Sequence, residues 1–257
     1  MSKYAYRMSY RRTLPHLQPP GATLFVTFRL ADSIPQGLLA QWVAQRERAL
    51  AEAGRQDNEA ERTRAADQAR REMFVRLEGH LDSVASGPHW LKDARVAELV
   101  AECLRYRDSK VYDLLAYCIM PNHVHVVFTP RPMSGHNLAE CVTEALETDG
   151  HNLAKCVTEA LGTDEHNLAK CVTVEPVPQY WSLPSILHSL KLYTAIRANR
   201  ILQRSGQFWA HESYDHFVRD ENQLGRIARY VLNNPLKAGL AKRWQDWPWS
   251  YNMYGAP

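Results

Sequence analysis

The 257-residue sequence contains no run of about 18 consecutive apolar residues, so it lacks the segment that a membrane-spanning helix requires. Its first twelve residues are polar and basic and lack the apolar stretch of a secretory signal. Cysteine is scarce as well: the chain has five, an odd number that argues against a disulfide scaffold. We therefore expect a cytoplasmic protein without a membrane partner.

Charge is small overall but unevenly distributed. The net charge is +3, made up of +3 in residues 1–130, −5 in residues 131–180 and +5 in residues 181–257. Two basic segments around an acidic one predict a polyanionic partner. The basic N-terminal arm, which includes Arg11 and Arg12, is a candidate phosphate-binding segment, and a solvated tail is the alternative.

Composition divides the chain further. Residues 23–30 are β-branched and aromatic and predict a strand, whereas residues 36–82 are rich in Ala, Arg, Glu and Gln. The latter stretch predicts two amphipathic helices inserted into a core domain, with their charges on a solvent-exposed face. Residues 131–180 form a second, acidic insertion with a fifteen-residue tandem repeat, which begins at His136 and recurs twice. Its His-Cys spacing matches no zinc pattern, so we interpret it as a passive surface insert.

A predicted β-turn-β unit contains two histidines. Residues 111–119 and 123–129 have strand character, and Met120-Pro-Asn forms the turn between them. Alternate residues of a strand share a face, so His123 and His125 project together and can converge on one metal ion. The alternative is a pair of half-buried structural histidines.

A tyrosine lies on the strongly predicted helix from Ser182 to Arg204. Around Tyr193, the cations Lys191, Arg197 and Arg200 lie on or near the same helix face. Such cations lower the pKa of a phenol and bind phosphate. The alternative for this tyrosine is a packing role. A further helix is predicted from Asn222 to Leu232, ended by Asn233-Asn234-Pro235.

Several motifs, in this order, resemble the HUH single-tyrosine transposases and, within them, the REP-associated tyrosine transposases. They are Met120-Pro-Asn-His-Val-His125, Ser189-Leu-Lys-Leu-Tyr193, Tyr214-Asp-His-Phe-Val-Arg-Asp220 and Tyr230-Val-Leu-Asn-Asn-Pro-Leu-Lys-Ala-Gly-Leu240. The resemblance implies one α+β domain over residues 1–257, with a ferredoxin-like antiparallel sheet and helices on one face. The helical hairpin would be an insertion, and residues 205–257 would form a C-terminal DNA-binding or packing extension.

The resemblance also implies a reaction. His123 and His125 would bind Mg²⁺ or Mn²⁺, and Tyr193, on a helix facing them, would attack single-stranded DNA to form a 5′-phosphotyrosine and a free 3′-OH. Relatives supply a third ligand about one turn beyond the tyrosine, where this chain has Ile196 and Arg197. Asn199 and His216 are candidates instead, and Asn122, Glu212 and Asp215 are further alternatives.

The sequence thus predicts a nucleoid-associated transposase that cleaves hairpin-forming DNA repeats, as a monomer rather than a helix-exchanged dimer. Three alternatives stay open at this point. They are a non-catalytic DNA-hairpin-binding protein, an RNA-binding ferredoxin-like module, and a metal-dependent hydrolase in which Tyr193 is structural.

Overall fold

The computed structural model describes residues 19–83, 87–133 and 179–255. Strands are β1 (Leu24–Leu30), β2 (Tyr112–Ile119), β3 (His123–Pro130), β4 (Trp209–Phe217) and β5 (Ser250–Asn252). Helices are α1 (Gln36–Ala53), α2 (Glu59–Asp82), α3 (Ala94–Tyr106), α4 (Leu183–Ile201) and α5 (Glu221–Lys237). The whole tandem repeat, Arg11 and Arg12 lie outside the described residues, and only the two ends of the acidic insertion at residues 131–180 are described. None of the described helices is long and apolar enough to cross a membrane.

The described strands form one antiparallel sheet in the order β4-β1-β3-β2-β5. The succession β1-α3-β2-β3-α4-β4, with its four strands in the order β4-β1-β3-β2, is the ferredoxin-like arrangement. The predicted α+β fold class is therefore confirmed. The predicted inserted hairpin corresponds to α1 and α2, which lie between β1 and α3 and pack against each other.

The two faces of β3 have different neighbours. Val124, Val126 and Phe128 belong to the larger core with α3 and α4, whereas Val127 belongs to a second cluster with Val231 of α5. His123 and His125 alternate with the first set and so share the face of Val127. We expected helices on one face. The structure instead has helices on both, because α2 and α5 cover the face that α3 and α4 leave free.

The inserted hairpin buries charged groups. Asn58 caps α2 by accepting a hydrogen bond from the Ala60 amide, and a small apolar cluster that includes Met73 joins the hairpin to the end of β1. We expected the charges of the hairpin to face solvent. Arg46 and Glu78 are instead only 6% and 5% exposed, because the hairpin packs against the sheet with those two side chains inward.

Helix α5 continues beyond its predicted end. We expected it to stop at Leu232, before Asn233-Asn234-Pro235, but it runs through Pro235 to Lys237. A proline breaks a helix by removing an N–H and crowding the preceding turn, yet here only two helical residues follow it. The extra turn places Asn234 four residues after Tyr230, on the same side of the helix.

Candidate metal and tyrosine site

The two histidines of β3 are fully buried and converge. The Nε2 atoms of His123 and His125 are 2.9 Å apart, and each side chain is 0% exposed. Their strand register sets this geometry, because His125 pairs with Thr27 and His123 with Arg29 of the central strand β1. The spacing of alternate residues on one strand therefore suffices to bring two nitrogen ligands together.

The outer nitrogens of both rings have hydrogen-bond partners. Asn122 donates from Nδ2 to the Leu81 carbonyl, 3.1 Å away, so its Oδ1 faces His123 Nδ1 at 2.7 Å. An amide oxygen only accepts, which means that Nδ1 of His123 carries the proton and Nε2 presents its lone pair. Thr27 Oγ1 lies 2.9 Å from Nδ1 of His125. Such outer partners fix the ring orientation that metal binding needs.

Helix α2 adds two carboxylates, Glu78 and Asp82, one turn apart. Glu78 Oε2 is 3.2 Å from His125 Nε2, and Asp82 Oδ1 is 3.9 Å from His123 Nε2. One ligand atom from each of these four residues lies within 4.8 Å of the others. Burial raises the pKa of Asp82 to about 6, with a further contribution from the charge of Glu78. For Glu78, burial acts in the same direction but contact with His125 outweighs it, and the pKa is about 2.

The donor set fits a divalent cation. Glu78 Oε1 and Asp82 Oδ1 are buried and, among the described residues, have no hydrogen-bond partner. Buried acceptors without a partner are costly, and a cation would satisfy both. Burial, and then the charge of His125, lowers the pKa of His123 to about 3, so its imidazole is neutral and able to ligate at neutral pH. Two imidazoles with two carboxylates suit Mn²⁺ better than Mg²⁺, which prefers oxygen alone.

Tyr230 of α5 reaches this cluster. Its hydroxyl donates to Glu78 Oε2 at 2.5 Å, and its ring centroid is 5.6 Å from that of His125. Burial raises the pKa of Tyr230, and the negative charge of Glu78 raises it further. Lys237 places its ammonium 4.3 Å from the centre of the phenol ring. A phenol, a carboxylate and two imidazoles thus meet in one buried site.

Asn234 lies one turn beyond Tyr230. Its side chain is fully buried, and Nδ2 donates to the Tyr230 carbonyl at 3.0 Å. Within the described part of the chain, Oδ1 of Asn234 has no partner. An amide oxygen one turn past a tyrosine is the third-ligand pattern that the sequence analysis sought next to Tyr193.

Tyr193 does not face the histidines. It packs against the core formed by α3 and α4, on the opposite side of the sheet, beneath the guanidinium groups of Arg107 and Arg197, which lie 6.0 and 5.1 Å from its ring centroid. Lys191, predicted to bind phosphate, donates to the Ala210 carbonyl at 3.0 Å. The expectation that helix α4 faces the histidine pair was wrong, because α4 connects β3 to β4 across the other face.

The candidate third ligands also lie apart from one another. Asn199 Nδ2 donates to the Gly206 carbonyl, and its Oδ1 accepts from Arg204, so the structure does not bring it to the histidines. His216 of β4 faces the correct side of the sheet, opposite Phe25, with Nε2 2.7 Å from Gln223 Nε2. Asn122 contacts His123 through its outer nitrogen. Arg200, predicted to bind phosphate, is exposed on α4.

Sequence reasoning missed four residues of this site: Glu78, Asp82, Tyr230 and Asn234. Glu78 and Asp82 are four residues apart on α2, and Tyr230 and Asn234 are four residues apart on α5. This spacing places both members of each pair on one face of their helix. The signal was present in Tyr230-Val-Leu-Asn-Asn234, which contributed to the resemblance but was interpreted as a helix end. No comparable signal marks the acidic pair within a helix rich in charge.

Two known proteins described as REP-associated tyrosine transposases are similar to this chain. No protein-family model matches the chain. A curated Haemophilus influenzae protein that carries the name of a REP-associated tyrosine transposase is 33% identical over 52 residues. That match covers 20% of this chain and 30% of the relative, so the chain matches less than a third of the relative's length. A solved structure of a REP-associated tyrosine transposase bound to a REP hairpin is 14% identical, with a TM-score of 0.40, and the superposition covers 95% of this chain and 82% of that one.

Proposed function

We propose that this protein is a transposase that cleaves and rejoins single-stranded DNA beside hairpin-forming repeats, with Tyr230 as the nucleophile. The observation that carries the proposal is the hydrogen bond from the Tyr230 hydroxyl to Glu78, whose same oxygen is 3.2 Å from His125. A phenol that is hydrogen-bonded to a carboxylate beside a metal-ligand cluster is suited to act as a nucleophile, because an adjacent base or metal ion activates such a group.

The chemistry follows from the groups present. Tyr230 Oη forms a bond to phosphorus as the bond from phosphorus to the 3′ oxygen breaks, which leaves a 5′-phosphotyrosine and a 3′-OH. Glu78 Oε2 accepts the phenol proton and can return it to the departing 3′ oxygen. Although burial raises the pKa of Glu78, contact with His125 lowers it to about 2, so this carboxylate is ionised at neutral pH and accepts the hydrogen bond of the phenol. Because the phosphotyrosine ester retains the bond energy, the 3′-OH of another strand can reverse the step and complete strand transfer.

His123, His125, Glu78 and Asp82 would hold the divalent ion, with Asn234 as a further candidate ligand. When bound, such an ion polarises a phosphate and stabilises the charge that develops on it. Burial and then Glu78 raise the pKa of Tyr230, and a cation held by these residues would oppose the effect of Glu78.

The test is adduct formation on a denaturing gel. A panel of labelled hairpin oligonucleotides with single-stranded flanks is incubated with Mn²⁺ or Mg²⁺ and with wild type, Tyr230→Phe or Tyr193→Phe. We expect a protease-sensitive adduct with wild type and Tyr193→Phe, and none with Tyr230→Phe. Tyr193→Phe is the matched control, because Tyr193 is a second phenol on a helix of this chain, packed on the opposite face of the sheet.

The possible results separate the readings. An adduct that persists in Tyr230→Phe and disappears in Tyr193→Phe would restore the assignment made from sequence. Cleavage without an adduct in any variant would favour a metal-dependent hydrolase. Hairpin binding without cleavage across the whole panel would favour the non-catalytic DNA-binding protein.

A further inference from the structure

A cleft of about 380 Å³ opens between the inserted hairpin, strand β4 and helix α5. Tyr230 lines this cleft, which therefore leads to the proposed nucleophile. Five arginines and two aspartates line it, so its charge is positive. Its apolar part is aromatic and includes Phe74 and Tyr214, whose rings are stacked with centroids 4.4 Å apart.

Arg46 of α1 is the unusual residue of this cleft. It is 6% exposed, yet among the described residues its Nε and Nη1 have no hydrogen-bond partner. Nε of Arg70, on α2, is buried and lacks a described partner as well. A buried arginine with unsatisfied donors is costly unless a ligand supplies the acceptors. Guanidinium donors match phosphate oxygens in geometry and in charge.

Asp67, one of the two aspartates that line the cleft, is not available for that role. Asp67 is already shared between Arg70, at 2.9 Å, and Arg219, at 3.5 Å. Burial lowers the pKa of Arg46, and Glu47 and Glu212 raise it only in part. Nε and Nη1 of Arg46 are therefore buried donors whose hydrogen-bonding capacity an anion bound in this cleft would satisfy.

We propose that this cleft holds one unpaired nucleotide of the DNA strand that flanks the hairpin, with its phosphate bound by Arg46 and Arg70. The choice of DNA and the direction toward Tyr230 rest on the function proposed above. A positively charged groove with aromatic side chains is typical of single-strand binding. The cleft has a volume of about 380 Å³, which is of the size of one nucleotide rather than of a base-paired helix. The inserted hairpin is thus part of the substrate-binding surface.

The test measures binding rather than cleavage. Fluorescence anisotropy in EDTA compares a labelled DNA hairpin with an eight-nucleotide single-stranded flank and the same hairpin with a blunt end. The proteins are wild type, Arg46→Met and Arg48→Met, a matched control that removes an exposed charge of the same helix outside the cleft. We expect Arg46→Met to weaken binding of the flanked hairpin about tenfold or more and to reduce the salt slope by roughly 0.7, the value for one lost phosphate contact. Binding of the blunt hairpin should change less than about threefold.

Thermal melting separates ligand binding from a structural role. Because Nε and Nη1 of Arg46 are buried without a described hydrogen-bond partner, Arg46→Met should melt at or above the wild-type temperature without DNA. A lower melting temperature together with equal losses for flanked and blunt hairpins would overturn the proposal. So would equal effects of Arg46→Met and Arg48→Met, or tighter binding of an RNA flank. If Arg46→Met does not fold, Arg70→Met, at a partly exposed position, decides by the same comparison.

The two proposals can fail separately. If Arg46→Met loses binding of the single-stranded flank and wild type forms no adduct, the proposed strand-transfer chemistry is refuted. The proposal that the cleft binds a nucleotide then stands. If wild type and Arg46→Met form the adduct equally and bind the flank equally, nucleotide binding in the cleft is refuted. The proposed strand-transfer chemistry then stands.

Discussion

The metal site makes a prediction about stability that needs no DNA. In the ion-free protein, Glu78 Oε1 and Asp82 Oδ1 are buried without described partners, and each such group costs about 1–3 kcal/mol. An ion that contacts both oxygens and the two imidazoles removes that cost in the folded state only. Binding therefore raises the free energy of unfolding by RT ln(1 + [ion]/Kd), about 2.7 kcal/mol at a hundredfold excess over Kd.

For a chain of this size, each kcal/mol raises the melting temperature by about 2–4 °C. We therefore expect Mn²⁺ at a hundredfold excess over its Kd to raise the melting temperature by roughly 5–10 °C. EDTA should restore the ion-free value. Mg²⁺ should need a higher concentration for the same shift, because two of the four ligands are nitrogens.

The assay is thermal unfolding with increasing Mn²⁺, followed by circular dichroism. His125→Ala and Asp82→Asn should each abolish most of the shift, whereas His211→Ala, which removes an exposed histidine of β4, should retain it. An equal shift in all four proteins would mean that Mn²⁺ binds elsewhere. No shift in wild type at millimolar Mn²⁺ would refute the interpretation of the buried cluster as a metal site.

Three further substitutions test neighbouring contacts. Thr27→Val removes the hydroxyl beside His125 Nδ1 but retains the branched shape of the side chain. We expect about 10–100-fold weaker Mn²⁺ binding in the titration just described. Unchanged affinity would show that this hydroxyl does not orient the His125 ring. Asn234→Ala should lower the free energy of unfolding, measured with urea, by about 1 kcal/mol in EDTA and by more with Mn²⁺. Equal losses in EDTA and in Mn²⁺ would exclude Asn234 as a metal ligand. Ser189→Ala removes the hydroxyl that accepts a hydrogen bond from buried Arg107 Nη2 at 2.9 Å, and should lower the free energy of unfolding by about 1–3 kcal/mol. The yield of the DNA adduct should be retained at low temperature. Loss of the adduct in a folded protein would show that helix α4 takes part in the reaction.

The histidine pair was predictable because it depends on one local rule. Alternation along β3 places His123 and His125 on one face whatever the strand pairs with, and the structure brings their Nε2 atoms together. The inserted hairpin was predictable from composition for a similar reason. Its inward charges were not, because the apolar residues of α2 are too sparse to define which face packs on the sheet, and Glu78 lies within a run of exposed charge.

The choice between tyrosines depends on topology, which local sequence does not determine. Tyr193 and Tyr230 both lie on helices with cations nearby, and only the former has a cation four residues later. Strands β1 and β2 are parallel to each other, as are β3 and β4, because each pair flanks a common antiparallel neighbour. The connections through α3 and α4 are therefore crossovers, and crossovers of one hand in this order lie on the same face of the sheet.

That face is the one toward which Val124, Val126 and Phe128 point, so the histidines between them must point away from both crossover helices. A residue on α4 then cannot reach the histidine pair within one chain, whichever side chains that helix face carries. Helix α5 follows β4, is not a crossover within the four-strand unit, and is free to pack on the opposite side. The strand order and the alternation of β3 together thus favour Tyr230, which could have been inferred once the antiparallel register was known but not from the motif around either tyrosine.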